Sequence, residues 1–181
     1  AEYDISGFEF LASEYTYDGE MHYPKLSGKM PVGADGIALE YYFSRGATRV
    51  SDGVVTSEIV FRTNSKNYRL PERVYSSVKI LPKGINVVWG NTQISYNGNI
   101  QTPAATSDEC LIAVSGGEID VGKYVATASS ESADYYVINE KISYEIIKAA
   151  NSFTAVVDEA VSYEGQAPSI GFSSRFGEIN Y

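Results

Sequence analysis

Cysteine and histidine are nearly absent from this chain, and each scarcity excludes a class of protein. Cys110 is the only cysteine among 181 residues, so no intrachain disulfide can form and stability has to come from burial. His22 is the only histidine, and a lone imidazole cannot provide the two or three that zinc sites commonly use. We interpret His22 as a loop residue beside a turn and Cys110, which begins an apolar stretch, as a small buried hydrophobe.

Basic charge and long apolar runs are also scarce. The chain carries 14 Lys and Arg against 23 Asp and Glu, a net charge of -9, which repels nucleic-acid phosphates and anionic lipid. No stretch approaches the roughly 20 apolar residues of a membrane helix. We expect no nucleic-acid partner and no membrane insertion. The opening at Ala1 lacks a basic and then apolar leader, which indicates a processed product or a fragment.

Acidic pairs and glycines are present, but not in the spacings that carry catalysis. Adjacent carboxylates such as Asp108-Glu109 and Asp158-Glu159 point to opposite faces of a strand, so we interpret them as solvated loops. No calcium-loop pattern occurs, and the glycines follow no phosphate-binding spacing. A nucleophilic Cys110 would need a nearby base, and His22 lies far away in the sequence. We predict no enzyme, no cofactor and no metal.

Alternating apolar and polar residues dominate the chain, and helical periodicity is almost absent. Fifteen tyrosines and 16 glycines fit short strands joined by tight turns. The period of two predicts strands over residues 74–80 and 142–146. Segments rich in β-branched and aromatic residues predict further strands over 8–11, 37–43, 55–61, 85–89, 111–114 and 124–128. Many short strands with frequent glycine turns indicate an all-β fold built from β-sandwiches.

A short motif occurs three times, which predicts repeated structural units. The copies are Tyr17-Asp18-Gly19, Tyr96-Asn97-Gly98 and Tyr163-Glu164-Gly165, each followed by a proline, at Pro24, Pro103 and Pro168. Pro82-Lys83-Gly84 and Lys148-Ala149-Ala150-Asn151 follow closing strands and read as junctions. We therefore expect an immunoglobulin-like module over residues 1–84, a second over 85–150, and an incomplete third over 151–181, because its 31 residues are too few to close a sandwich.

The motif and its surroundings resemble the bacterial immunoglobulin-like repeats called MBG or YDG domains. In that family a Tyr-Asp/Asn-Gly turn opens the module, a Gly-x-Tyr strand comes late and a Lys-Ala linker follows; the second unit is similar at Gly122-Lys123-Tyr124, Tyr135-Tyr136 and Ile147-Lys148-Ala149. The first unit departs from the pattern, with Gly53-Val54-Val55 in place of Gly-x-Tyr. The resemblance implies a non-catalytic, extracellular stalk or adhesion scaffold at a bacterial cell surface or cell wall, with neighbouring modules as partners.

Tyrosine is the residue type most open to a further role. Adjacent tyrosines on a strand place one ring on each face, so an alternative function is a binding module that recognises a glycan or a host matrix protein through Tyr41, Tyr42, Tyr135 and Tyr136. The simpler interpretation is that these tyrosines were selected for strand propensity. By analogy with surface modules, Lys123 and Asn139 are candidates for an intramolecular isopeptide bond.

Overall fold

A computed structural model describes residues 1–150 and the backbone of the strands Phe153–Val157 and Ile170–Ser174. Throughout this part of the chain the regular structure is β, apart from one 3₁₀ turn at Val50–Asp52. The strands are β1 (Phe8–Leu11), β2 (Ser13–Thr16), β3 (Lys25–Gly28), β4 (Glu40–Phe43), β5 (Val54–Arg62), β6 (Val74–Leu81), β7 (Lys83–Ile85), β8 (Val88–Trp89), β9 (Gln93–Ser95), β10 (Ala105–Thr106), β11 (Ile112–Ser115), β12 (Gly122–Ser130), β13 (Tyr135–Val137), β14 (Lys141–Ile147), β15 (Phe153–Val157) and β16 (Ile170–Ser174). The predicted all-β class is confirmed.

The first half of the chain, residues 1–82, and the second half, residues 83–150, build their main sheets in the same strand order. The first is β2-β6-β5-β4 and the second is β9-β14-β12-β11. In each sheet the opening strand, β2 or β9, runs parallel to the last strand, β6 or β14. That last strand is antiparallel to the long central strand, β5 or β12. The other strands pair two by two, as β1 with β3, β8 with β10, β7 with β13 and β15 with β16.

Alternation along the long strands produces the cores. In β5 the inward positions are Val55, Ser57, Ile59 and Phe61, while their neighbours face outward. An aromatic-rich cluster of Tyr3, Phe10, Leu39, Ile59 and Phe61 fills one part of the first half, and Ala47, Val55, Val78 and Ile80 fill another. In the second half the buried residues of the cluster are Ala126, Tyr144 and Ile146. Each half therefore buries its own apolar side chains.

The strand predictions hold for the long alternating segments and are less accurate elsewhere. The span predicted at 37–43 forms a strand only over Glu40–Phe43, and the span predicted at 85–89 is interrupted, because β7 ends at Ile85 and β8 begins at Val88. The interruption has a physical cause. Val87 is buried, and its backbone N–H and C=O bond the Asn139 carboxamide at 2.8 Å each, in place of a neighbouring strand.

Candidate functional site

The repeated tyrosine motif has the same backbone environment in both halves. The Tyr17 N–H donates to the carbonyl of Leu81, the last residue of β6, at 2.8 Å. The Tyr96 N–H donates to the carbonyl of Ile147, the last residue of β14, at 2.9 Å. The motif is thus fixed in each half to the point where the chain leaves the main sheet.

The turn that follows each tyrosine also repeats. Asp18 and Asn97 each accept a hydrogen bond through Oδ1 from the backbone N–H two residues later, both at 2.9 Å. Gly19 and Gly98 come next with φ angles of 85° and 81°, a left-handed conformation that disfavours residues with a Cβ. The sequence prediction of tight glycine turns is confirmed at both positions. Tyr163, Glu164 and Gly165 lie outside the described residues.

A third point of equivalence is an isolated antiparallel bridge five residues after each tyrosine. His22 exchanges backbone hydrogen bonds with Ala47 at 2.8 and 3.0 Å. Gln101 exchanges them with Glu118 at 2.8 and 3.1 Å. His22 and Gln101 therefore form the same backbone bridge in the two halves. This agrees with the interpretation of His22 as a loop residue.

The hairpin that encloses the motif is present three times. In the first two copies, the residue seven positions before the motif tyrosine pairs with the residue nine positions after it, as Phe10 with Leu26 and Trp89 with Ala105. In the third copy, the residue seven positions before pairs with the residue eight positions after, as Val156 with Gly171. The C-terminal strands β15 and β16 therefore pair around Tyr163 much as the earlier hairpins pair around Tyr17 and Tyr96. The third hairpin differs from the others in one respect, because one residue fewer separates its tyrosine from the paired residue on the second strand.

A buried carboxylate joins the two halves. Asp134, in the second half and only 4% exposed, accepts a hydrogen bond through Oδ1 from the Val50 N–H of the first half at 2.9 Å. Its Oδ2 lies 3.6 Å from the exposed guanidinium of Arg49. Its own carbonyl accepts the Lys83 N–H at 2.9 Å. Asp134 thus bonds both the 3₁₀ turn of the first half and the strand that opens the second.

Aromatic and ionic contacts accompany this carboxylate at the junction. The rings of Tyr17 and Tyr135 meet edge to face with centroids 5.3 Å apart. Burial, followed by the nearby Tyr17 hydroxyl, raises the pKa of Tyr135. Lys83 Nζ pairs with Glu109 Oε1 at 2.8 Å. Only Pro82 separates β6 from β7, so the connection has little length in which to bend.

The four tyrosines proposed for ligand contact divide into two half-buried and two exposed rings. Tyr41 packs against the aromatic cluster of the first half, 4.9 Å from Phe10, whereas Tyr42 is 49% exposed. Tyr135 lies in the junction, whereas Tyr136 is exposed. The alternation predicted for adjacent tyrosines is confirmed. Tyr42 and Tyr136 are therefore the two most exposed of the four tyrosines.

Sequence reasoning missed Tyr75, which is 55% exposed and lies on the same sheet face as Tyr42. Tyr42 pairs with Val60 of β5, and Tyr75 pairs with Glu58, two residues away on that strand. The period of two puts all these outward positions on one face, with the two tyrosines roughly 12 Å apart. The alternation in β6 was the available signal, because Tyr75 falls between the inward positions of that strand.

Polar groups accompany these rings. Arg73 lies 3.3 Å from Glu58 Oε1, and the hydrogen bond that its guanidinium donates to the Tyr75 side chain, followed by the charge of Glu58, raises the pKa of Arg73. The face therefore combines exposed aromatic surface with a charged donor and a charged acceptor. Such a mixture is suited to a ligand that presents both C–H and hydroxyl groups.

The remaining candidates for chemistry have structural partners. His22 Nε2 lies 2.9 Å from Asp18 Oδ1, and its ring stacks on Tyr15 at 4.2 Å. Cys110 Sγ lies 3.3 Å from Ser130 Oγ. Over residues 1–150 and the two described C-terminal strands, no three metal-ligating side chains cluster. The same part of the chain forms no helix that is long and apolar enough to span a bilayer.

The hypothesis of an isopeptide bond between Lys123 and Asn139 is wrong. Lys123 pairs with Glu145, near one end of β12, whereas the Ala128 N–H bonds the carbonyl of Glu140 near the other end. The backbone positions of the two residues are therefore about 17 Å apart along the strand direction, beyond the reach of a lysine side chain. The Asn139 carboxamide is also already bonded to the backbone of Val87.

Compared with protein-family models, curated proteins and solved structures, the chain matches none of them. Its function is therefore inferred from its own residues. Three features carry that inference: the topology shared by the two halves, the junction around Asp134, and the sheet face that exposes Tyr42 and Tyr75.

Proposed function

We propose that this chain is a non-catalytic tandem array of immunoglobulin-like β-sandwich modules, extracellular on a bacterial cell surface or cell wall, that acts as a stalk or adhesion scaffold. Its partners are the neighbouring modules of the same protein, and it uses no cofactor. Modules that contact end to end hold a distal binding region at a fixed distance from the cell.

The observation that carries this proposal is the repetition of one topology at a fixed register. Tyr17 and Tyr96 each bond the last residue of their sheet, and the chain then continues into the next β unit. Repeats in which each unit contacts mainly its neighbours form quasi-one-dimensional assemblies. The buried Asp134 stiffens such an assembly, because rotation about Pro82 would break its hydrogen bond to Val50 of the first unit while it stays bonded to Lys83 of the second.

Small-angle X-ray scattering of the chain tests the array. An end-to-end pair with a bonded junction gives an elongated particle with one well-defined length. A D134A variant is expected to give a broader distribution of lengths, whereas D134N, which retains the acceptor for Val50, is expected to resemble the unmodified chain. A compact, isometric particle in solution would overturn the array proposal.

A second candidate function is glycan or host-protein recognition through exposed tyrosines, and the shared face of Tyr42 and Tyr75 favours it. Aromatic rings stack on the apolar faces of sugars, and the adjacent Arg73 and Glu58 supply hydrogen bonds to hydroxyl groups. The two tyrosines belong to β4 and β6, whose outer positions are set by the same sheet.

Binding to a glycan and extracellular-matrix array tests this second function. The test variant is Y42A/Y75A, because both rings are exposed and their truncation should leave the fold intact. Y136A is the matched control, since it removes an equally exposed tyrosine of another sheet. A ligand whose binding is lost in the double variant and retained in Y136A supports recognition at this face. Equal binding by all three proteins would contradict it.

A further inference from the structure

The loop that precedes the long central strand, β5 or β12, is partly covered by the neighbouring unit in the first half and exposed in the second. In the first half this loop contains the 3₁₀ turn, and its Val50 is half-buried and bonded to Asp134 of the second half. In the second half the equivalent loop, between the Glu118 bridge and β12, is Ile119-Asp120-Val121. Ile119 and Val121 are 42% and 46% exposed.

A third apolar side chain lies beside this loop. Ile100 is 71% exposed, and its Cγ2 lies only 2.7 Å from where a Cβ on Gly117 would be, which places it next to the start of the loop. We call Ile100, Ile119 and Val121 the exit surface. Exposed apolar side chains that lie together mark interaction sites more often than isolated ones do.

The exit surface lies where the chain leaves the second half. Gly122 pairs with Ile146, so Val121 is adjacent to Ile147, the last residue of β14. The first half has the same arrangement, because Val54 pairs with Lys79 and the 3₁₀ turn lies near Leu81, where β6 ends. In the first half, this end is the one that contacts the following β unit.

We propose that the exit surface is the docking site for the C-terminal segment, residues 151–181, in the same way that the first half docks against the second. The inference rests on the proposed tandem array and extends it by naming the contact surface of the next unit. Strands β15 and β16 repeat the hairpins β1–β3 and β8–β10, so the segment that follows Ile147 begins with the same element as its two predecessors.

The short connection between β14 and β15 favours the C-terminal segment, rather than a second copy of the chain, as the partner of the exit surface. Five residues separate β14 from β15, and even a fully extended connection of that length reaches only about 20 Å. A segment held so close has an effective concentration in the millimolar range, which a second copy of the chain does not reach at ordinary protein concentrations. The three aliphatic side chains of the exit surface then suffice for docking without a large interface.

Hydrogen exchange of the full chain, followed by mass spectrometry, tests the docking. In I119S/V121S we expect amide exchange in β15 and β16 to accelerate by about tenfold, because the burial of two aliphatic side chains is lost. V125S is the control, since Val125 is an exposed apolar residue of β12 outside the exit surface. It should leave exchange in β15 and β16 unchanged. Exchange in β12 and β14 should stay constant in both variants.

Equal exchange of β15 and β16 in the unmodified chain and in I119S/V121S would overturn the docking proposal. A dimer in sedimentation that I119S/V121S dissolves would also overturn it, because the occupant would then be a second copy. Neither result affects the array proposal, which depends on the elongated shape of the first two units in scattering. A compact particle would contradict the array whatever the exchange data show.

Discussion

The Val50 N–H donates to Asp134 Oδ1 at 2.9 Å across 84 residues of sequence, and this bond joins two halves of the chain whose main sheets have the same strand order. Repeated units can be joined by a flexible linker or by a bonded contact. Here the connecting residue between β6 and β7 is a single proline, and the carboxylate beside it is buried. The junction is therefore a specific contact, whose contribution can be measured by mutation.

Replacement of Asp134 by alanine is expected to destabilise the chain by about 1 to 3 kcal/mol, because the half-buried Val50 N–H loses its acceptor. Replacement by asparagine retains an acceptor oxygen and removes only the charge facing the exposed Arg49, so its cost should stay below about 1 kcal/mol. Urea unfolding of both variants checks this order. Equal stability of D134A and the unmodified chain would mean that the junction bond contributes nothing.

Replacement of Tyr144 by phenylalanine is expected to cost about 1 kcal/mol at neutral pH. The buried hydroxyl donates to the carbonyls of Gly116 at 2.8 Å and Gln101 at 3.1 Å, and so connects β14 to the turn before β12 and to the loop after the motif. Y124F is a suitable control, because the Tyr124 hydroxyl donates to Asp120 at a more exposed position. Urea unfolding at pH 7 should show a larger loss for Y144F than for Y124F.

The same variant predicts a change in alkaline stability. Burial raises the pKa of Tyr144, so the folded chain keeps this proton at a pH where the unfolded chain loses it. The stabilisation is complete below the unfolded pKa of about 10 and is lost as the pH rises through the folded value. The free energy of unfolding should therefore decline less steeply above pH 10 in Y144F than in the unmodified chain. Parallel declines would contradict a buried, protonated hydroxyl.

Local patterns in the sequence were sufficient to predict the long antiparallel strands, but not β3 and β10, the short antiparallel partners of β1 and β8. Strands β5, β6, β12 and β14 are long and alternate cleanly, and the positive φ values expected at Gly19 and Gly98 are present. Strand β2 was missed because its residues, Ser13 to Thr16, carry little apolar signal. It is a strand because it pairs in parallel with β6, more than 60 residues later, and such a contact leaves no local pattern.

The candidate sites show the same division between local and long-range information. The alternation that divides Tyr41 from Tyr42 follows from strand geometry alone. The role of Asp134 does not, because its partner Val50 lies in the other half of the chain and an isolated Asp resembles any loop acid. Lys123 and Asn139 were paired wrongly for the same reason, since their separation depends on the register of β12 with β14.

Replacement of Gly98 and of Gly116 by alanine is expected to destabilise the chain to different extents. Gly98 and Gly116 both have positive φ, so alanine at either position carries a conformational cost of about 1 to 2 kcal/mol. A Cβ at Gly98 meets nothing closer than the Tyr96 hydroxyl at 3.9 Å. A Cβ at Gly116 would lie 2.5 Å from the carbonyl oxygen of Val125, which is backbone of a central strand and cannot move freely.

We therefore expect G116A to lower the thermal midpoint well beyond G98A, with the difference measuring the steric contribution alone. Circular dichroism melts of the two variants under identical conditions check this. Equal midpoints would indicate that β12 shifts to accommodate the added methyl group, and the close approach of Gly116 to β12 would then have no energetic significance.

Acid sensitivity should differ between the two described motif turns, because the first has Asp18 where the second has Asn97. The backbone N–H of Glu20, followed by the hydrogen bond with His22, lowers the pKa of Asp18. The stabilisation from a lowered carboxylate pKa is present above the unfolded value of about 3.9 and is lost as the pH falls through the folded value. The turn around Asn97 has no such titration.

Replacement of Asp18 by asparagine makes the first turn resemble the second. We expect D18N to keep its fold at pH 7 and to lose less stability than the unmodified chain between pH 5 and about 2. N97D is the reciprocal variant and is expected to add acid sensitivity to the second turn, although without the partner that His22 provides in the first. Urea midpoints across this pH range decide the matter, because identical acid profiles for D18N and the unmodified chain would show that the Asp18 carboxylate does not stabilise its turn.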